Sequence, residues 1–173
     1  MDVSYKKLSV LLANESHSKD IWLWRNDPLT RAMFREYDYV EWNSHKKWYS
    51  KMLKDRGHLL LYGLLGENGI GMVRFDRLNK DIAEVSINLS PDYRKKGLSS
   101  ALLLKGCKVA FEKLGVMKLF AEIKKDNFAS QKAFEKIGFL KVEEEKSIYF
   151  HYELTVEMIT IYNNYKMELQ LFN

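Results

Sequence analysis

Apolar and polar residues alternate along this chain with two different periods. From Ile82 to Leu89, Val85, Ile87 and Leu89 fall on one face and Glu84, Ser86 and Asn88 on the other, the period of a half-buried strand. Ser90-Pro91-Asp92 ends that run. After Gly97 the spacing becomes helical through Leu103, Cys107, Ala110, Phe111 and Leu114, and Gly115 supplies the stop. Val116 to Ile123 reads as the next strand. Asn127 then stands at the cap position of a helix lined by Ala133, Phe134 and Ile137, with Gly138 where a left-handed C-terminal cap belongs.

The flanking pattern extends this series. Tyr5 to Leu12 predicts a first strand, and Ser16 or Ser18 caps a short helix through Ile21, Trp22 and Trp24 that stops at Asn26-Asp27-Pro28. A second helix runs from about Ser44, where Trp48 with Met52 and Tyr49 with Leu53 are i, i+4 pairs. His58 to Leu65 and Ile70 to Asp76 make a hairpin across Gly66-Glu67-Asn68-Gly69. Asp76 to Asp81 is a polar connection, and Ser147 to Tyr162, rich in Tyr, Ile and Val, predicts two more strands. The order is β-α-α-β-β-β-α-β-α-β-β, an α/β chain without internal repeat or linker, read as one domain over residues 1–173.

Composition narrows the function classes. A chain of 173 residues buries a proper core. No apolar stretch reaches the length of a membrane span and the N-terminus lacks a signal-peptide pattern, so the expectation is a soluble cytoplasmic protein. Cys107 is the only cysteine, which excludes an intrachain disulfide, and its helical position makes it a small core residue more readily than a catalytic thiol. The four histidines, His17, His45, His58 and His151, lack metal-ligand spacing, so no metal is expected. The formal charge of +5 suits a site for phosphates; no nucleic-acid fold signature accompanies it.

The chemistry concentrates in Arg94-Lys95-Lys96-Gly97-Leu98-Ser99. A strand delivers this basic loop onto a helix N-terminus, where unpaired backbone N–H groups and the positive end of the helix dipole favour an anion. Ser99 or Ser100 is the expected N-cap, and Gly97 lets the backbone approach a ligand closely. The run lacks the ending of a nucleotide P-loop and any G-x-G-x-x-G.

The loop resembles the [Q/R]-x-x-G-x-[G/A] acetyl-CoA motif of the GNAT N-acetyltransferase superfamily, with Ser99 where the family has Gly or Ala. Asn127 to Ser130, followed by Phe134, Lys136 and Gly138-Phe139, resembles the second GNAT signature, N-x-x-[S/A]…[Y/F]-x-K-x-G-F, at the expected distance. The resemblance covers the last two thirds of the chain well and the first third more loosely. It implies a mixed sheet of about seven strands flanked by helices, acetyl-CoA as donor, and direct transfer to an amine. It further implies that the fourth strand splays from its neighbour, with a backbone N–H around Ile87, Asn88 and Leu89 facing the thioester oxygen and the pantetheine arm along the exposed edge. Asn127 and Ser130 join the loop residues as implied cofactor contacts, although helix capping alone also explains Asn127.

Individual residues carry two readings each. Glu84, on the polar face of the fourth strand, is the expected general base; the alternative is a cross-strand ion pair. The family's usual general acid is a Tyr where this chain has Phe134, which cannot donate a proton. Trp24-Arg25-Asn26-Asp27 followed by His45 and Trp48 resembles the GNAT branch acting on nucleotide-linked 4-amino-sugars, as in the pseudaminic acid pathway. That resemblance implies substrate contacts at Trp24, Arg25, Asn26, His45 and Trp48, with His45 as a second catalytic candidate. The two tryptophans read more readily as core than as a sugar platform, and Arg25 and Asp27 also read as a means of fixing the turn at Pro28. The expected acceptor is thus an amino-sugar nucleotide, with a ribosomal-protein N-terminus, a polyamine or a non-catalytic CoA-binding role as alternatives; the partners are acetyl-CoA and a small amine, and a homodimer is compatible.

Overall fold

The computed structural model describes residues 7–142 and 147–161. Seven strands form one mixed sheet in the order β1-β2-β3-β4-β5-β7-β6. They are β1 (Leu8–Leu12), β2 (His58–Leu65), β3 (Asn68–Arg77), β4 (Ile82–Leu89), β5 (Lys118–Lys124), β6 (Leu140–Val142) and β7 (Tyr149–Thr155). The helices among the described residues include α1 (Ser18–Asn26), α2 (Pro28–Met33), α3 (Trp42–Lys54), α4 (Leu98–Leu114) and α5 (Phe128–Glu135).

The alternation along each strand sorts side chains onto two faces. Leu61, Val73, Phe75, Ala83, Val85, Leu119, Ala121 and Leu154 meet Leu102, Leu103, Cys107, Ala110 and Phe111 of α4 and Phe134 of α5 in the larger core. Cys107 is wholly enclosed there, and burial pushes its thiol pKa up, so it is a core residue rather than a nucleophile. On the opposite face Leu60, Tyr62 and Met72 pack against Ile21, Trp24, Tyr49 and Met52 of α1 and α3. Glu84, Ser86 and Asn88 continue that second face, opposite Asp76, Arg74 and Met72 in the antiparallel β3–β4 register.

Several expectations change at element ends. The N-cap of α4 is Gly97, in the left-handed region at φ 71°, so Ser99 and Ser100 already lie inside the helix. Neither Ser16 nor Ser18 caps α1; Asn14 caps the 3-10 turn before it, and Ser18 is its first residue. α3 begins at Trp42, ahead of Ser44, and β5 at Lys118 rather than Val116. Pro28 does not simply end α1: Asp27 caps a new helix, α2, whose first position suits proline. The expected pair of strands over 147–162 is one strand, β7, followed by a helical turn at 156–161; its partner β6 lies upstream. Tyr5 and Tyr162 lie outside the described residues. Gly138, at φ 97°, ends the α5 segment as its position predicts.

Candidate active site

The site is organised by a split in the sheet. β4 and β5 run parallel and pair only at Ile82 with Lys118, Ala83 with Leu119 and Glu84 with Phe120. Past Glu84 the two strands part, so Val85–Leu89 has β3 on one side only. The connections leaving both strands run to the N-termini of α4 and α5. A crevice at the carboxyl ends of parallel strands, flanked by helix N-termini, is where ligands bind in such sheets.

The loop on the α4 side is shaped for an anion. Lys95 and Gly97 both have left-handed backbones, at φ 58° and 71°, a combination that turns successive amides toward one side. Lys95, Lys96 and Gly97 are exposed, whereas Leu98 is buried and anchors the helix start. Ser99 is half-buried in the first turn. On the other strand's exit, Asn127 caps α5 by accepting the Ser130 N–H at 3.2 Å, the local role its position allows.

Arg94 points elsewhere. Its Nη1 pairs with Asp27 at 2.6 Å and its Nη2 donates to Thr30 Oγ1 at 2.6 Å. Thr30 donates in turn to Asn88 Oδ1 at 3.1 Å. Partial burial disfavours the Asp27 carboxylate, but the Thr30 N–H and Arg94 outweigh it and hold its pKa below the usual range. The guanidinium thus ties the loop to α2 and, through Thr30, to β4. Close backbone packing supports this end of β4: a Cβ at Gly71 would stand 2.5 Å from the Asn88 carbonyl oxygen.

Glu84 lies at the point where the strands part, and its ion pair is not cross-strand. Arg35 Nη2, from the segment after α2, reaches Glu84 Oε1 at 2.5 Å and Glu122 Oε2 of β5 at 2.5 Å. His151 Nε2 of β7 is 3.3 Å from Glu122 Oε1. Arg35, Glu122 and His151 were not singled out from the sequence. The signal for Glu122 was present, since alternation in Lys118–Lys124 puts Phe120, Glu122 and Lys124 opposite the buried Leu119, Ala121 and Ile123.

The residues expected around the acceptor divide. His45 is 2 % exposed; its Nε2 is 3.0 Å from the Ser18 carbonyl oxygen, and its ring stacks on Trp42 and Tyr49. Burial lowers its pKa, the Ser18 contact only partly opposing it, and nothing brings it to Glu84; it is a core histidine. Trp24 is likewise buried and stacks on Tyr62. Asn26 is a clamp: its Nδ2 donates to the Val40 carbonyl at 2.9 Å and its Oδ1 accepts the Val40 N–H at 2.8 Å. Trp48 is half-buried, with the Arg74 guanidinium 5.8 Å from its ring. Arg25 lies over Phe34 and donates to the Glu36 carbonyl at 2.5 Å. Burial lowers the Arg25 pKa; Glu36 opposes this, and the nearby charges of Arg31 and Arg74 add to it. Phe134, 2 % exposed, packs edge-on against Phe139, and the adjacent Tyr152 donates to Glu135 at 2.9 Å. Among the described residues no helix is long and apolar enough to cross a membrane.

Comparison with known proteins agrees with this geometry. Residues 9–140 match the acetyltransferase (GNAT) domain family. Two curated relatives, both acetyltransferase PseH of Campylobacter jejuni strains, are 26 % identical; for strain 81-176 the match covers 79 % of this chain and 85 % of the relative. Among solved structures, the spermidine N-acetyltransferase of Vibrio cholerae in complex with CoA and spermine has a TM-score of 0.81 at 18 % identity, covering 90 % of this chain and 99 % of that one. PseH of Campylobacter jejuni in complex with acetyl coenzyme A has a TM-score of 0.68 at 21 % identity, covering 86 % and 99 %. The split sheet, the left-handed anion loop and the domain match converge: the chain belongs to the GNAT family of acetyl-CoA-dependent N-acetyltransferases.

Proposed function

We propose that the acceptor is the primary amine of a nucleotide-linked amino-sugar, and that the acetyl group passes to it directly, with Glu84 as general base. In this reading the whole chain, residues 1–173, is one acetyltransferase domain working in the cytoplasm. The backbone of Ile87, Asn88 and Leu89 borders the thioester. Lys95 to Ser99 holds the pyrophosphate with α4, and Asn127 with Ser130 borders the cofactor from α5. Arg94 contributes by bracing the loop rather than by contacting phosphate.

One observation carries the acceptor class. Arg31 and Arg74, the latter paired with Asp76 at 2.9 Å, lie close enough for their charges to disfavour the charged form of Arg25. Side-chain donors at Arg25 Nη1, Arg31 Nε and Asn88 Nδ2 are buried without a hydrogen-bond partner. Such a concentration of cationic donors favours an acceptor that brings an anion, as a nucleoside diphosphate does, and disfavours a polycation. The PseH relatives support the same class. The Glu84–Glu122 carboxylate pair favours a second reading, a polyamine acceptor, and the spermidine acetyltransferase has a similar fold.

Turnover of acetyl-CoA with a nucleotide-linked 4-amino-sugar, with spermidine and with an N-terminal peptide separates these readings. The expected result is a kcat/KM for the sugar nucleotide at least 100-fold above the other two. Preference for spermidine would overturn the amino-sugar acceptor and leave the acetyl transfer itself intact.

A further inference from the structure

The same atom, Arg35 Nη2, touches Glu84 Oε1 and Glu122 Oε2, each at 2.5 Å. The two carboxylates come from the two strands that part immediately after Glu84. A cationic nitrogen is therefore already seated between them at the mouth of the split. We propose that Arg35 is a built-in stand-in for the acceptor: its Nη2 marks where the acceptor's ammonium nitrogen is held between Glu84 and Glu122, and the guanidinium swings into solvent when the acceptor arrives. This makes Glu122 a second substrate-contacting carboxylate and Arg35 a residue that sets acceptor affinity. It rests on the reading of an amine acceptor and holds for any amine.

Three features support it. The Arg35 side chain is 51 % exposed while Glu84 and Glu122 are 24 % and 25 % exposed, so the cation is the partner free to leave. An ion pair with one side chain that exposed is weakly held. The carboxylates are fixed from behind: Glu84 by its strand pairing to Phe120, and Glu122 by pairing to His151, whose Nε2 also lies 3.3 Å from Glu122. Farther along the same face of β4, Ser86 Oγ and Asn88 Nδ2 are buried without hydrogen-bond partners, and Asn88 is only 6 % exposed. Unsatisfied polar groups beside two carboxylates that hold a foreign cation suit a site that a ligand completes.

The chemistry follows from the position. An acceptor ammonium seated between the carboxylates gives one proton to Glu84 and becomes a neutral amine. Its nitrogen forms the C–N bond to the acetyl carbon as the C–S bond breaks. The second proton, lost as the nitrogen becomes an amide, is taken up by the leaving thiolate, so CoA departs as the thiol. Glu84 returns its proton to solvent, and Glu122 stays charged throughout to hold the nitrogen in line.

The test uses methylguanidinium, the charged end of the missing side chain, as a probe, and needs no acceptor. Binding is followed by NMR on CoA-loaded wild type, Arg35→Ala and Arg35→Ala/Glu122→Gln. The expected result is binding to Arg35→Ala at least 10-fold tighter than to either other protein, because wild type carries its own competitor and the double variant lacks the second carboxylate. Equal binding to all three would overturn the proposal. In turnover, Arg35→Ala should lower the acceptor KM several-fold with little change in the KM for acetyl-CoA. A raised acceptor KM would also overturn it, since Arg35 would then be an acceptor ligand. Absence of turnover with every amine tried would count against the acceptor classes proposed above, and the probe measurement would still decide the role of Arg35.

Discussion

Thr30 joins the loop that begins at Arg94 to the fourth strand through one hydroxyl, which accepts from Arg94 and donates to Asn88. Thr30 is 7 % exposed and Asn88 6 %, so neither bond is replaced by water when it is lost. Thr30→Val leaves the Arg94 guanidinium and the Asn88 oxygen each short of a partner. The expected cost is about 1–3 kcal/mol, read as a fall in Tm of roughly 2–4 °C per kcal/mol for a chain of this size. Thr30→Ser should recover most of it. Because Arg94 braces the loop, the KM for acetyl-CoA should also rise in Thr30→Val and recover in Thr30→Ser; a Tm loss without that rise would make Thr30 structural only.

Gly97 tests the loop itself. Its φ of 71° places it where a side chain meets the following carbonyl, and it is also the N-cap of α4. Gly97→Val should raise the KM for acetyl-CoA strongly, through backbone shift and loss of close approach, with a smaller rise in Gly97→Ala. Unchanged cofactor affinity in a folded Gly97→Val protein would remove the loop from the cofactor site.

How much was legible depends on how local the signal is. β4, α4, α5 and the β2–β3 hairpin all follow from short-range periodicity and turn residues, and the two GNAT signatures lie within single stretches of chain. α2 was missed because Asp27-Pro28 reads as a stop, yet the same pair serves as cap and first residue of the next helix. The cap of α4 went to Gly97 because a left-handed turn, not a serine hydroxyl, delivers the chain into the helix. The acceptor side was least legible. Arg35, Glu84, Glu122 and His151 are brought together by sheet register across distant elements, and no spacing in the chain announces that meeting. Conversely, His45, which looked chemical in sequence, fills a core that only the packing of α1 and α3 reveals, and Trp24 takes the core place that its sequence reading favoured.

That burial of His45 has a pH signature. Enclosure lowers its pKa below that of an exposed histidine, so the neutral ring is the form that fits the fold. Stability tied to the neutral ring is present above the unfolded pKa of about 6.5 and is lost as pH falls toward the lowered folded value. His17, also lowered chiefly by burial, acts in the same direction. Thermal unfolding should show Tm declining below about pH 6.5, with a shallower decline in His45→Gln. An identical slope in the variant would mean that His45 protonates as easily folded as unfolded.

By its resemblance to the second GNAT signature, Phe134 stands where the family's usual acid is expected, but its ring is enclosed by Phe139 and Tyr152. A hydroxyl added there meets an apolar core, so Phe134→Tyr should lower Tm and leave kcat unchanged. A kcat gain would show that the new hydroxyl reaches the leaving thiolate and that thiolate departure limits the natural enzyme.

The proposed general-base role of Glu84 can be separated from a structural one. Glu84→Gln keeps the shape and one hydrogen-bonding oxygen toward Arg35 while removing the basicity. General-base assistance contributes about 10²–10⁴-fold, and the expected loss in kcat lies at the lower end, since solvent also deprotonates the amine. The deficit should narrow as pH rises and more acceptor arrives neutral. Acetyl-CoA affinity should barely change, because the cofactor loop begins after Pro91 and is braced independently by Asp27 and Thr30. If Glu84 served only as an anchor for Arg35, the Gln variant would turn over normally at every pH and show only a lower Tm. Measuring kcat against pH and Tm on the same variant separates the two roles. A near-normal pH–rate profile would transfer the base assignment to Glu122, the carboxylate that shares the Arg35 nitrogen.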